Sequence, residues 1–395
     1  MAGRPMPSAA NSWPCPRGTA RPWSPMSPGS DHEPAPEPGK SPMKTLIAPL
    51  AALFALAAPA ASLQAAPALD PVPVIETWLL PRYDTLVATT AAQEAAWTGF
   101  CKAPSAGGVA ALKAAFIPAA NAWTAVEFVT MGPVSLALRA DRFNFFPDRR
   151  NVIQRGMADV LASTDEGRFE PERFGKSNAA AQGLPALERL LYEPGAADAL
   201  ASGNEAAVRC TYGTAIAKNL ATIAREVRTG WGDKTSGAFG AVVSGKGDPI
   251  YFPDAAAVPG MILTDLSGAY QRVSDTRILP VLGNGDPKPL LAEGWRAGRS
   301  GAVVKVMVTS ADALLQEIAK QLPSRTQWAV NKAATAADKA AAEFPDDLGA
   351  AAEASGGAVK IQAALKAFKG AQITVYRPIA AYFGISLGFN ALDGD

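Results

Sequence analysis

From residue 70 onward, apolar side chains recur at intervals of three and four. Tyr212, Ile216, Leu220, Ile223 and Val227 form one stripe, and Val304, Val308, Ala311, Leu315, Ile318 and Leu322 form another. Both stripes follow the 3.6-residue period of an amphipathic helix, and neither alternates as a half-buried strand would. Alanine-rich stretches such as 110–125 and 333–342 add helix propensity and allow helices to approach closely. Strand signals are scarce, residues 373–376 being the best short candidate. The pattern predicts an all-α fold, built as helical bundles, over residues 70–395.

The periodicity lapses once inside that span. Gly230, Gly232, Gly237, Gly240, Gly245 and Gly247 are followed by Pro249, Pro253 and Pro259. Such a run reads as a connector. It divides the chain into an N-terminal helical half, 67–230, a Gly/Pro-rich connector, 231–258, and a C-terminal helical half, 259–395.

Ahead of the helices the pattern is different again. Residues 1–42 hold 11 of the 33 prolines and show no apolar period. A stretch of this kind cannot build a core. It is read as a disordered or over-extended start. At Met43 the character changes: Lys44 supplies a charge, residues 46–58 are apolar, and Ala60, Ala61, Ala65 and Ala66 supply small residues. That layout over 43–66 is the layout of a secretory signal peptide. The apolar run is short for a membrane span of ~20 residues and Pro49 interrupts it, so no transmembrane span is expected after cleavage.

Composition then narrows the chemistry. Across 395 residues, 37 basic and 36 acidic side chains leave a formal charge of +1, which argues against nucleic acid as the main partner. Removal of residues 1–66 also removes His32, the single histidine. The remaining chain has no imidazole for a Ser-His-Asp triad, a Cys-His pair or a His-ligated metal. Cys15 leaves with the same segment. Cys101 and Cys210 remain, and an exported chain with two cysteines is expected to join them in one disulfide, the other reading being two buried thiols.

One segment stands apart: Gly183-Leu184-Pro185-Ala186-Leu187-Glu188-Arg189-Leu190-Leu191-Tyr192. Pro185 suits the first turn of a helix. Leu184, Leu187, Leu190 and Leu191 share one face, while Pro185, Glu188 and Tyr192 fall on another. Read by itself, this is a capped core helix whose Glu188 faces the positive end of the helix dipole.

The stretch from Gly183 to Glu188 resembles the Gly-x-His-x-x-Glu signature of the imelysin family. Asn121-Ala122-Trp123 and Gly132-Pro133 resemble the family's early helix and its exit. The run from Phe143 to Pro147-Asp148 resembles its aromatic-Pro-Asp loop, and Gly384 to Asp393 resembles its C-termini. Together these motifs span about residues 70–395. The resemblance implies two helical-bundle halves, a location in the periplasm or cell envelope of a Gram-negative bacterium, and a shared site around the His-Glu pair. Some family members are described as metallopeptidases and others belong to iron-uptake systems. Envelope or iron-transport proteins are therefore the implied partners. Here the histidine position is Pro185, which can neither ligate a metal nor move a proton, so only Glu188 carries over.

Three functions follow. The first is an envelope protein that binds a metal or small ligand, linked to iron uptake and lacking peptidase activity. The second is a metallopeptidase using carboxylates alone. Its candidate oxygen ligands are Glu188, Asp148 and Asp265, a set suited to calcium, manganese or iron. The third is a bundle that only mediates protein contacts. The cofactor is left open between none, a divalent metal and iron. In the first reading Glu188 lines a polar cleft between the halves, with Tyr192 on its stripe and Arg142 or Arg277 neutralising it.

Overall fold

In a computed structural model, residues 66–388 are described and all fall within one compact unit. The signal-peptide reading, the Pro-rich start and the last seven residues lie outside the described residues. Nine long helices organise the fold: α1 (Leu80–Phe100), α2 (Ala106–Thr124), α3 (Val152–Ala162), α4 (Leu184–Tyr192), α5 (Ala206–Trp231), α6 (Val258–Gln271), α7 (Ser300–Ala319), α8 (Ser324–Ala342) and α9 (Gly357–Thr374). Shorter helical turns fill most of the intervals. Among the described residues no strand forms, only two isolated bridges, Asp233 with Ser236 and Asp248 with Phe252.

The two apolar stripes explain how the helices meet. Tyr212, Ile216, Leu220, Ile223 and Val227 are all fully buried along α5, which packs on α1. A Cβ placed on Gly213 would lie 2.1 Å from the Trp97 ring, so glycine is needed where the two helices touch. Cys101 and Cys210 are bridged at the same pair of helix ends, with their Cα atoms 5.6 Å apart. On the other side, Val304, Val308, Ala311, Leu315 and Ile318 bury the inner face of α7. That helix packs on α8, α8 packs on α9, and α7 also reaches α6 and α2. Helix starts are capped as expected of Ser and Asp: Ser105 Oγ accepts from Gly108 N at 3.1 Å and Asp70 Oδ1 from Val72 N at 2.9 Å.

Two local expectations change. Residues 373–376 carry the end of α9 up to a kink at Arg377, which is extended at φ −141° and ψ 105°, and form no strand. Their β-branched character yields to helical packing, Val375 being fully buried at the end of α9. The stretch expected as a connector also holds a helix, Gly237–Ser244, and buries Phe239 and Phe252. Its glycines suppress the periodic signal without preventing the helix.

Two stretches are π-helical: Ile75–Leu79 and Arg272–Ile278. Each is followed two residues later by a proline, Pro81 or Pro280. A proline lacks the N–H that the carbonyl four residues earlier would accept, and its ring crowds that carbonyl, so the turn widens. The second stretch continues α6 and turns Arg277 into the interior.

Candidate functional site

Helix α4 begins at Gly183, where a Cβ would stand 2.8 Å from the Phe143 carbonyl oxygen. The motif glycine is thus required by the backbone of residues 142–143 passing over the helix start. Leu184, Leu187, Leu190 and Leu191 anchor α4 in the core. Pro185, Glu188 and Arg189 face the other way, into a cleft of about 490 Å³. Its remaining walls come from Phe146, Asp148 and Ile153 before α4, and from Asp275, Glu293, Trp295 and Arg296 after α6. Segments on both sides of the Gly/Pro-rich stretch therefore build it.

Glu188 is only 7% exposed, which is not the setting of a surface helix cap. Its Oε1 accepts a hydrogen bond from Ala297 N at 2.9 Å. Among the described residues Oε2 accepts none. Burial pushes the carboxyl above the usual range, opposed by the Ala297 N–H and by the charges of Arg296 and Arg299.

Behind this wall lies a denser network. Arg277 Nε donates to Glu293 Oε2 at 2.8 Å, and its Nη2 donates to Glu127 Oε1. Asn144 Nδ2 completes the ring, donating to Glu127 Oε2 at 2.9 Å and to Glu293 Oε1 at 2.7 Å. Burial pushes the Glu127 carboxyl up, and Arg277 pulls it back in part. Arg299, also buried, donates to Asn121 Oδ1 at 2.8 Å, tying the α2 motif to the start of α7.

The sequence candidates distribute unevenly over this geometry. Asp148 lies in the cleft wall, but both its oxygens are occupied by backbone at the start of α3, Val152 N at 2.7 Å and Ile153 N at 3.1 Å. Tyr192 lies past the cleft: its hydroxyl donates to the Lys113 carbonyl at 3.3 Å and its ring meets Phe116. Arg142 does not neutralise Glu188. Its Nε and Nη2 donate to Gln182 Oε1 and Asn219 Oδ1, each at 2.9 Å. Arg277 serves Glu127 and Glu293 instead. Asp265 lines a different cavity, where Thr130 donates to it through N at 2.9 Å and Oγ1 at 2.6 Å, and burial raises its pKa to about 6. Glu188, Asp148 and Asp265 therefore do not form one ligand set. Among the described residues no three His, Cys, Asp or Glu side chains gather closely enough to hold a metal. The donor set does not fit a resident metal centre.

Sequence reasoning missed Glu127, Asn144, Glu293, Arg296 and Arg299. The one local signal was Glu293-Gly294-Trp295-Arg296, a charged and aromatic run on a turn.

A second group of buried carboxyls lies elsewhere, among α6, α7 and α8. Asp312 is fully buried and accepts a hydrogen bond from the Tyr270 hydroxyl. Burial raises its pKa to about 8, the Tyr270 hydroxyl opposes the rise, and the neighbouring Asp338 carboxyl adds to it.

The fold and cleft define an all-α protein with a carboxylate-bearing cleft built from two distant parts of the chain. It belongs to the imelysin family, whose model, a peptidase family by its description, matches residues 79–375. Two solved structures share the fold. An imelysin-like protein from Psychrobacter arcticum 273-4 is 20% identical, with 82% of this chain and 100% of that one covered at a TM-score of 0.64. A protein named as an iron-regulated protein A precursor, from Parabacteroides distasonis ATCC 8503, is 16% identical, with 81% and 96% covered at a TM-score of 0.64. No curated protein matches the chain. Among the described residues no helix is long and apolar enough to cross a membrane.

Proposed function

We propose that the protein is an exported imelysin-family member of the cell envelope, which binds a small ligand at Glu188 and hydrolyses nothing there. The observation that carries this reading is the pair Pro185 and Glu188 on one cleft wall, with Glu188 Oε2 accepting no hydrogen bond among the described residues. A carboxylate oxygen facing a cavity attracts a cation or a hydrogen-bond donor. The neighbouring proline offers neither metal ligation nor proton transfer, so the motif keeps a binding group and lacks a catalytic partner.

The family and the name of the Parabacteroides neighbour support an iron-related context. Iron enters as cargo, brought in a complex that supplies most of its own ligands. The carboxylate peptidase reading draws no support from Asp148 and Asp265, whose oxygens are engaged apart from Glu188.

Thermal-shift measurements against ferric citrate, small amines and amino acids test the proposal. At least one of these should stabilise the wild type and leave Glu188→Gln unmoved. Peptide hydrolysis should stay at background with or without chelator. Identical ligand responses in both proteins, or hydrolysis that a chelator abolishes, would overturn it.

A further inference from the structure

A smaller cavity, of about 230 Å³, is lined by Glu127 and Asn144 of the network and shares Phe146 with the Glu188 cleft. Arg272 and Arg277 line it from the π-helical stretch, and Trp123, Val129, Val134 and Phe146 give it apolar walls. Its other charged residues are accounted for. Glu127 accepts from Arg277 and Asn144. Arg139 donates to Glu226 at 2.9 Å and to the Pro133 carbonyl at 2.6 Å. Asp141 is exposed at the rim. Arg272 differs from all of them: its guanidinium forms no hydrogen bond or ion pair with any described residue.

A guanidinium carries five N–H donors in a planar fork, and half-buried Arg272 leaves its own open to the cavity without an acceptor among the described residues. Burial, with the charge of Arg277 beside it, holds Arg272 below its ordinary pKa, opposed by Glu127, Asp265 and Glu293. Water could fill a space of this size with about eight molecules at ~30 Å³ each, but water brings no charge. A planar carboxylate matches the fork in two parallel hydrogen bonds, and a short apolar tail matches the walls.

We infer that this cavity is a second binding site, taking a small carboxylate whose two oxygens lie against the Arg272 guanidinium. The site shares only Phe146 with the Glu188 cleft and does not depend on how that cleft is used.

Thermal unfolding of the full-length protein in rising sodium acetate or propionate, against sodium chloride at matched ionic strength, is the test. Both carboxylates should raise the Tm to a plateau, and chloride should not. Arg272→Met should lose the response while keeping or raising the salt-free Tm, since an unpaired charge is gone. Arg272→Lys keeps the charge without the fork and should bind roughly tenfold more weakly. Glu188→Gln should respond as the wild type does, which separates a failure here from a failure at the cleft. A flat wild-type response, or an undiminished one in Arg272→Met, would overturn the site. A response to inorganic phosphate equal to that of acetate would overturn its assignment to carboxylates.

Discussion

Glu188 and Asp312 are both buried carboxyls whose pKa values burial raises, yet their surroundings differ. Glu188 meets a backbone N–H, two nearby arginines and an open cavity. Asp312 meets a tyrosine hydroxyl and another carboxyl inside a helix interface. A raised carboxyl pKa marks desolvation in both places, and only the first presents an oxygen to something that could enter. Perturbed ionisation points to function when a cavity accompanies it.

The sharpest way to separate the two regions is pH. Asp312 has a folded pKa of about 8 against an ordinary aspartate value of 3.8. Its stabilising contribution is complete below the unfolded value and is lost as pH rises through the folded one. Unfolding free energy should therefore fall between about pH 4 and pH 8, with a ceiling of about 6 kcal/mol. Asp312→Asn should remove most of that slope, making the variant more stable than the wild type in alkaline buffer. Urea unfolding across the pH range checks this, and an unchanged slope would show that Asp312 is not the group responsible.

The next effect lies behind the cleft. Arg277→Met strands Glu127 and Glu293 without their cation, and breaking a buried pair in this way costs about 3–5 kcal/mol. Denaturant midpoints measure it. A loss no larger than that of an exposed ion pair would mean that the network is more hydrated than its burial indicates.

The smallest change is expected at Glu188 itself. Glutamine keeps an acceptor for Ala297 N and removes the charge, so stability should move by less than ~1 kcal/mol. Since burial raises the Glu188 pKa, the variant should gain on the wild type as pH rises through that value. Melting curves at acid and neutral pH test the sign. A loss of several kcal/mol would turn the cleft wall into a structural element like the Asp312 cluster.

How far the sequence reaches follows the same division. The α5 and α7 stripes were legible because burial along one helix leaves a period in one stretch of chain. The helix period puts Pro185, Glu188 and Tyr192 on one stripe of α4, and the cleft takes the first two while Tyr192 lies past it. The partners of Glu188 were not, for Ala297 and Arg296 approach it from more than a hundred residues away. Arg142 and Arg277 looked equally able to neutralise it, and only packing sends one to Gln182 and the other to Glu127. Residues 373–376 misled for a related reason, their β-branched run being decided by the helix end that they cover.

The bridge between Cys101 and Cys210 gives the cleft a covalent topology of its own. The two cysteines are 109 positions apart, and the chain they enclose includes α2, α3 and α4, hence Asp148, Pro185 and Glu188. A protease cutting once in any loop of that enclosed segment would open the backbone without releasing a piece. The nicked molecule would migrate as one species until reduced, then as two. Its Glu188 wall would stay tethered beside the rest of the cleft, at the high effective concentration that a short covalent link imposes.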